Sequence, residues 1–310
     1  MSHDVIVIGG SFAGLSAALQ LARARRRLLV VDAGRPRNRF ARASHGFLGQ
    51  DGRAPAAIVE SARTQVLAYP TAEFIAGEAT EARQCDGEFE VALASGATHH
   101  ARGLILATGV VDELPDVPGL RERWGATVLH CPYCHGYEVA ARRLGVLATG
   151  PQALHQALLL PDWSPDVTLF TNGVVAPDDV QRAALQARGV RLEAEPVTAL
   201  LGEAPLLSGV RLADGRVAAL DALFTVSRTR PASALAEQLG CAFDEGPFGP
   251  VIRTSDRKET TVPGVFAAGD AARPAHNATW ASADGVTAGI AAHQSLAIPL
   301  ASPAAPLAAR

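Results

Sequence analysis

The chain has 310 residues, of which 48% are hydrophobic and 19% charged, with a net charge of −3. That composition is globular rather than disordered, and the length suits two domains of ordinary size. The small negative charge argues against nucleic acid or an anionic membrane as partner. No basic leader with an apolar run opens the sequence, and the Ala-rich stretch 285–300 is interrupted by His293, Gln294 and Pro299. The expectation is a cytoplasmic protein without a membrane span.

In chain order, residues 4–8 predict a short, wholly apolar strand, 15–24 a helix and 27–32 a second strand. This is a βαβ unit, whose crossover is right-handed and whose strands are parallel. Residues 103–109 (GLILATG) predict a buried strand ending in a glycine turn, followed by the linker-like Pro115, Pro118 and Gly119. A second βαβ unit opens with strand 144–148, a turn at Thr149-Gly150-Pro151, helix 153–160 and strand 167–170. A second crossing is expected between Ser227 and Gly240. Strand 264–268 and a helix over 281–296 close the fold, and the tail after Ile298 is expected to fray. The predicted fold class is α/β, with two Rossmann-like, three-layer nucleotide-binding domains, the second inserted into the first. The expected boundaries are 1–113 and 240–310 for the outer domain and 114–239 for the inserted one.

The first βα turn reads Gly9-Gly10-Ser11-Phe12-Ala13-Gly14. The dinucleotide pattern asks for glycine at its first, third and sixth places. Gly9 and Gly14 fit, and Ser11 replaces the middle glycine with a small side chain. Backbone N–H groups at the helix start would hold a pyrophosphate. Asp32, followed by Ala33, stands where an acid accepts hydrogen bonds from a ribose. The alternative is a strand–turn–helix whose glycines serve geometry alone.

Cys131-Pro132-Tyr133-Cys134-His135-Gly136 is the chemically richest stretch. Two thiols separated by two residues close and reopen a small disulfide ring, which is two-electron chemistry. Zinc would need four ligands, and no second pair stands at a suitable spacing, so no metal is expected. A purely structural turn is the remaining alternative. Cys85 and Cys241 stand alone and are read as ordinary thiols.

Residues 261–270 (TVPGVFAAGD) resemble the second FAD signature of flavoprotein disulfide reductases, in which the acid matching Asp270 binds the ribityl chain. Ala107-Thr108-Gly109 matches the short motif that accompanies it, and Gly269 precedes the acid. With the cysteine pair between these motifs, the order of parts resembles the low-molecular-weight thioredoxin reductases over almost the whole chain. The run through Glu138 (CPYCHGYE) looks like the microbial dithiol oxidases that close disulfides in gliotoxin- and holomycin-type natural products. The resemblance implies non-covalent FAD, a homodimer and a small-molecule dithiol or disulfide as substrate, with oxygen taking the electrons in the oxidases. It also implies that Cys134 is the flavin-proximal sulfur and Cys131 the one that exchanges with substrate. His135 occupies the place of an Asp in ordinary thioredoxin reductases, whose sequence is C-A-T-C-D-G. An unperturbed histidine titrates near ~6.5 and serves as a base toward thiols.

By the same resemblance His45 lines the flavin pocket, Asn277 and Ala278 meet the ring through backbone amides, and His276 assists His135. Arg39, with Arg35 and Arg37, reaches FAD phosphate or adenine, or else belongs to a solvated loop. A turn histidine at 45 and a solvent-facing one at 276 are the alternatives.

The inserted unit departs from a reductase. Its turn, residues 148–153 (ATGPQA), keeps only the middle glycine, and Thr171-Asn172-Gly173 replaces the basic cluster that clamps the NADPH 2′-phosphate. Each lost charge-assisted contact costs roughly 1.5–3 kcal/mol, about ten- to a hundred-fold in affinity. NAD(P)H binding is therefore doubtful, and the leading expectation is an FAD-dependent dithiol oxidase. The alternatives are an NAD(P)H-dependent disulfide reductase and a flavoprotein redox sensor.

Overall fold

The computed structural model describes residues 2–298; the expected frayed tail lies outside them. The described residues divide into two compact units, one of residues 2–37, 56–111 and 230–298, the other of residues 38–55 and 112–229.

The first unit begins with β1 (His3–Ile8), α1 (Phe12–Arg23) and β2 (Leu28–Asp32), then α2 (Pro55–Leu67), β3 (Ala72–Ala76), β4 (Ala79–Cys85), β5 (Glu88–Leu93) and β6 (Thr98–Leu106). The predicted βαβ unit is present, but α1 starts at Phe12 rather than Leu15. Gly14 lies in its first turn, and there the helix backbone closes on the Gly9 carbonyl with no room for a Cβ. Four strands run parallel in the order β3-β2-β1-β6, and the edge strands β5 and β4 continue the sheet antiparallel. The period of two seen in β1 sorts its side chains. Val5 and Val7 pack with α1, while Ile6 and Ile8 face the opposite layer with Phe89.

β7 (Val110–Glu113) leads into the second unit, which contains β8 (Val128–Leu129), α3 (Pro132–His135), β9 (Leu144–Leu147), α4 (Gln152–Leu159), β10 (Val167–Phe170), α5 (Asp179–Ala187) and β11 (Arg191–Glu193). The antiparallel β12 (Val197–Leu201), β13 (Gly209–Leu212) and β14 (Val217–Ala219) follow, then β15 (Ala222–Thr225). Its main sheet is parallel throughout, in the order β11-β10-β9-β15-β8. One face packs on α4 through Leu144, Val146 and Leu169; the other packs on the β12–β14 layer through Leu147, Phe170 and Leu223. Each unit is thus the three-layer, Rossmann-type arrangement expected.

β16 (Arg228–Pro231) returns the chain to the first unit, where α6 (Leu235–Gln238), β17 (Phe243–Gly246), β18 (Gly249–Ile252), β19 (Val265–Ala267) and α7 (Ala278–Ala297) complete it. β19 pairs in parallel with the C-terminal half of β6. Helix α7 packs closely on α1. A Cβ on Gly285 would overlap the Ala13 carbonyl, and one on Gly289 would stand 2.6 Å from the Ala17 carbonyl. Small residues four apart permit that approach. Among the described residues no helix is long and apolar enough to cross a membrane.

Candidate active site

In the first unit, β1 ends where its two neighbours, β2 and β6, diverge. Ligands of doubly wound sheets bind at such a switch point. Gly9 takes φ +106°, a conformation open to glycine, and its missing Cβ is filled by the Ala107 carbonyl. Ala107 N–H in turn donates to the Ile8 carbonyl at 2.8 Å. The Ala107-Thr108-Gly109 stretch therefore seals the underside of the glycine turn. A Cβ on Gly10 would stand 2.7 Å from Asp32 Cβ, so the turn and the acid at the end of β2 are in direct contact. Ser11 is the N-cap of α1 and makes no side-chain cap bond, and the positive end of the helix dipole at this start favours an anion.

Asp270 follows β19 in a short 3₁₀ turn with Gly269, and its Oδ2 lies 3.2 Å from Arg37 Nη1. The Asn277 side chain caps α7 by accepting from Thr279 N–H at 2.8 Å. His276 packs against Phe248 with its ring nitrogens buried. Arg35 pairs with Glu78 at 2.6 Å. Arg39 lies in the second unit, where its guanidinium sits 4.1 Å from the Phe40 ring centre.

In the second unit Cys131 and Cys134 form a disulfide, with Pro132 opening the single turn of α3 between them. Gly136 is held by packing: a Cβ there would meet the Pro132 carbonyl at 2.6 Å and the Trp163 ring at 2.9 Å. The Tyr133 ring meets Trp163 edge-on, 5.5 Å between centres. His135 is half-buried, and burial pushes its pKa below the ordinary value. The nearby Glu138 charge works in the opposite direction, and His45 adds to the lowering. His45 Nε2 lies 3.4 Å from Glu138 Oε1, and its Nδ1 lies 3.7 Å from Asp51 Oδ1. The sequence assigns His45 to the flavin pocket; the geometry puts it beside the residues that follow the disulfide. Glu138 was singled out only as part of a motif, and Asp51 not at all. An acid six residues after a histidine carries no sequence signal without the fold.

The second nucleotide turn is visibly altered. Ala148 is fully buried, and Thr149 Oγ1 donates to the Val226 carbonyl. Asn172 and Gly173 turn the chain in left-handed conformations, with Asn172 Oδ1 accepting from Val197 N–H at 3.0 Å. Glu193, at the end of the neighbouring β11, is paired with Arg216 at 2.9 Å. Among the described residues no cluster of His, Cys, Asp or Glu is arranged to hold a metal ion.

A family model described as pyridine nucleotide-disulphide oxidoreductase matches residues 3–285. The chain belongs to that family. It is similar to the thioredoxin reductase tcpT of Claviceps purpurea (strain 20.1), 36% identical over 277 residues and 86% of each chain. Among solved structures, an oxidoreductase from Agrobacterium tumefaciens is 53% identical, with a TM-score of 0.92 over 97% of this chain and 100% of that one. HlmI is 44% identical, with a TM-score of 0.89 over 96% and 93%. This pyridine nucleotide-disulphide oxidoreductase acts on sulfur groups, and its family implies FAD. The first unit fits that cofactor. The glycine turn, so tight that a Cβ would strike the Ala107 carbonyl at Gly9, Asp32 at Gly10 and the Gly9 carbonyl at Gly14, together with the acids Asp32 and Asp270, fits what a pyrophosphate, a ribose and a ribityl chain require.

Proposed function

We propose that this protein is an FAD-dependent dithiol oxidase acting on a small-molecule dithiol, with oxygen as the final acceptor. The observation that carries the reading is His135. It directly follows Cys134, and burial lowers its pKa, favouring the neutral form in which a base toward thiols acts.

One substrate thiol loses its proton to His135, and the resulting thiolate attacks Cys131 Sγ. The Cys131–Cys134 bond breaks, a substrate–Cys131 mixed disulfide forms, and Cys134 leaves as thiolate. The second substrate thiolate attacks the substrate sulfur of that mixed disulfide and expels Cys131. The product is a disulfide, and two electrons and two protons have passed to the cysteine pair and His135. The Glu138 charge steadies the protonated form of His135, and His45 stands beside Glu138. Gly9, Ser11, Phe12, Ala13, Gly14, Asp32, Thr108, Gly109, Gly269, Asp270, Asn277 and Ala278 would hold FAD, which would supply a two-electron acceptor open to oxygen. The sum is dithiol plus O₂ giving disulfide plus H₂O₂. The altered turn at Ala148 supports this direction, because a nicotinamide source of electrons would need the glycine that Ala148 replaces.

Oxygen uptake by the purified yellow protein with dithiothreitol, with and without NADPH, tests the reading. Uptake that needs dithiol and is indifferent to NADPH is expected. Rapid anaerobic bleaching of the flavin by NADPH would establish the reductase instead, and a single turnover would establish a sensor.

A further inference from the structure

Gln156 is an expensive residue where it stands. It lies on α4 between Ala153, Ala157 and Leu160, which are all buried, and is itself only 4% exposed. Its Nε2 donates to the His130 carbonyl at 2.7 Å, while its Oε1 is buried without a hydrogen-bond partner among the described residues. A buried amide with one half unsatisfied is less favourable than an apolar side chain of the same size. Methionine would fill this place without that penalty.

The bond it makes falls at a consequential point. His130 separates buried Leu129, at the end of β8, from Cys131, so its carbonyl belongs to the peptide that enters the disulfide. Downstream, Trp163 closes over Gly136 and Tyr133. Both grips come from one stretch, α4 and the turn after it. In a dinucleotide-binding unit this helix follows the phosphate turn. Here that turn is altered at Ala148, and the helix holds the cysteine loop at both ends.

We infer that Gln156 is a positioning residue of the redox centre. By fixing the His130–Cys131 peptide it favours the closed Cys131–Cys134 ring over the open dithiol. An entering peptide free to rotate lowers the effective concentration of one thiol at the other, and the ring closes less readily. The inference rests on the reading of Cys131–Cys134 as the exchanging disulfide.

The test is the anaerobic equilibrium of the full-length, flavin-loaded protein with glutathione buffers, two glutathiones forming for each ring closed. Acid quenching, alkylation and mass spectrometry count the open and closed forms. Gln156→Met keeps the volume and removes the donor, and is expected to lower the ring-closure constant about three- to tenfold. That equals a rise in potential of roughly 15–30 mV. Gln156→Glu can donate only when protonated, so its deficit relative to wild type at the same pH should shrink as pH falls. A merely structural role would not produce that recovery. It also carries the test if the Met variant does not fold. A Met variant matching wild type, or a Glu variant whose deficit ignores pH, overturns the role of Gln156 alone. A wild-type pair that does not exchange with glutathione at all overturns the dithiol-oxidase reading with it.

Discussion

His45 Nε2 stands 3.4 Å from Glu138 Oε1, joining a loop near the start of the chain to the turn that follows the disulfide. Gly46 N–H donates to Asp51 Oδ1 at 2.8 Å and braces the loop from within. Glu138 thus has His45 beside it and acts through its charge on His135. The arrangement gives His135 two neighbours with opposite effects on its proton.

That opposition yields a prediction with a sign. A base works in its neutral form, so kcat/KM falls as pH drops through the His135 pKa, which burial places below the ordinary ~6.5. The Glu138 carboxylate favours the imidazolium and raises that pKa. Glu138→Gln should therefore move the acid limb to lower pH. His45 lowers the His135 pKa, so His45→Gln should move the limb to higher pH. The pH profiles of dithiol oxidation for wild type and both variants decide it, and shifts in one common direction would contradict the arrangement.

The two sulfurs should differ in role. Cys131→Ser and Cys134→Ser are each expected to lower dithiol-dependent oxygen uptake by roughly 10³-fold or more, because the pair acts as a unit. Exposed to glutathione disulfide, Cys134→Ser should collect one mixed disulfide at Cys131. Cys131→Ser should label about tenfold more slowly at Cys134 if that sulfur faces away from substrate. Intact-mass time courses read both rates, and equal labelling would reverse or erase the assignment.

Several parts of this site were legible before the fold because their chemistry is local. Gly9 and Gly14 sit at fixed offsets from a strand end, and Cys131 and Cys134 announce themselves by spacing. The period of two in β1 marks a strand, and the ends of α4 and β10 fall within a residue or so of expectation. Other parts depend on contacts that span the sequence. Glu138 meets His45 across 93 positions (138 − 45), and Gln156 reaches His130 from a helix whose pattern reads as apolar. The antiparallel strands β4, β5 and β12–β14 were not foreseen either. Their exposed faces mix Arg, Glu and Thr with apolar residues, and register with a partner strand is what makes them strands.

The α1–α7 contact separates two consequences of one kind of change. Alanine in place of a helical glycine gains about 1 kcal/mol of propensity. At Gly285 the new methyl would overlap the Ala13 carbonyl, and backbone on both sides cannot yield as a flexible side chain would. Overpacking of this sort costs about 1–3 kcal/mol, so Gly285→Ala should be net destabilising in urea titration. Ala13 lies in the nucleotide turn, so this variant should also retain less flavin on gel filtration. Gly289→Ala presses on Ala17 instead, one turn farther along α1. It should lose stability and keep its flavin.

The second nucleotide turn offers a gain-of-function test. Wild type should show no saturable flavin reduction by NADPH at concentrations that saturate a reductase. Ala148→Gly restores the glycine at the end of β9, and Thr171→Arg returns one cation to the end of β10. Asn172 and Gly173 are left alone, since the first bonds Val197 N–H and both hold left-handed turn conformations. One recovered charge-assisted contact to the 2′-phosphate should tighten NADPH about tenfold or more over the Ala148→Gly background, while NADH changes little. Glu193 opposes the gain, because its main-chain carbonyl accepts from Thr171 N–H at 2.9 Å and its carboxylate, which engages Arg216, brings negative charge to the same strand end. Adding Glu193→Gln should therefore strengthen NADPH binding further. Isothermal titration of the three variants against both nucleotides gives the comparison. Equal gains for NADH and NADPH would show that the missing glycine, and not the missing charge, is what turned this unit away from nucleotide.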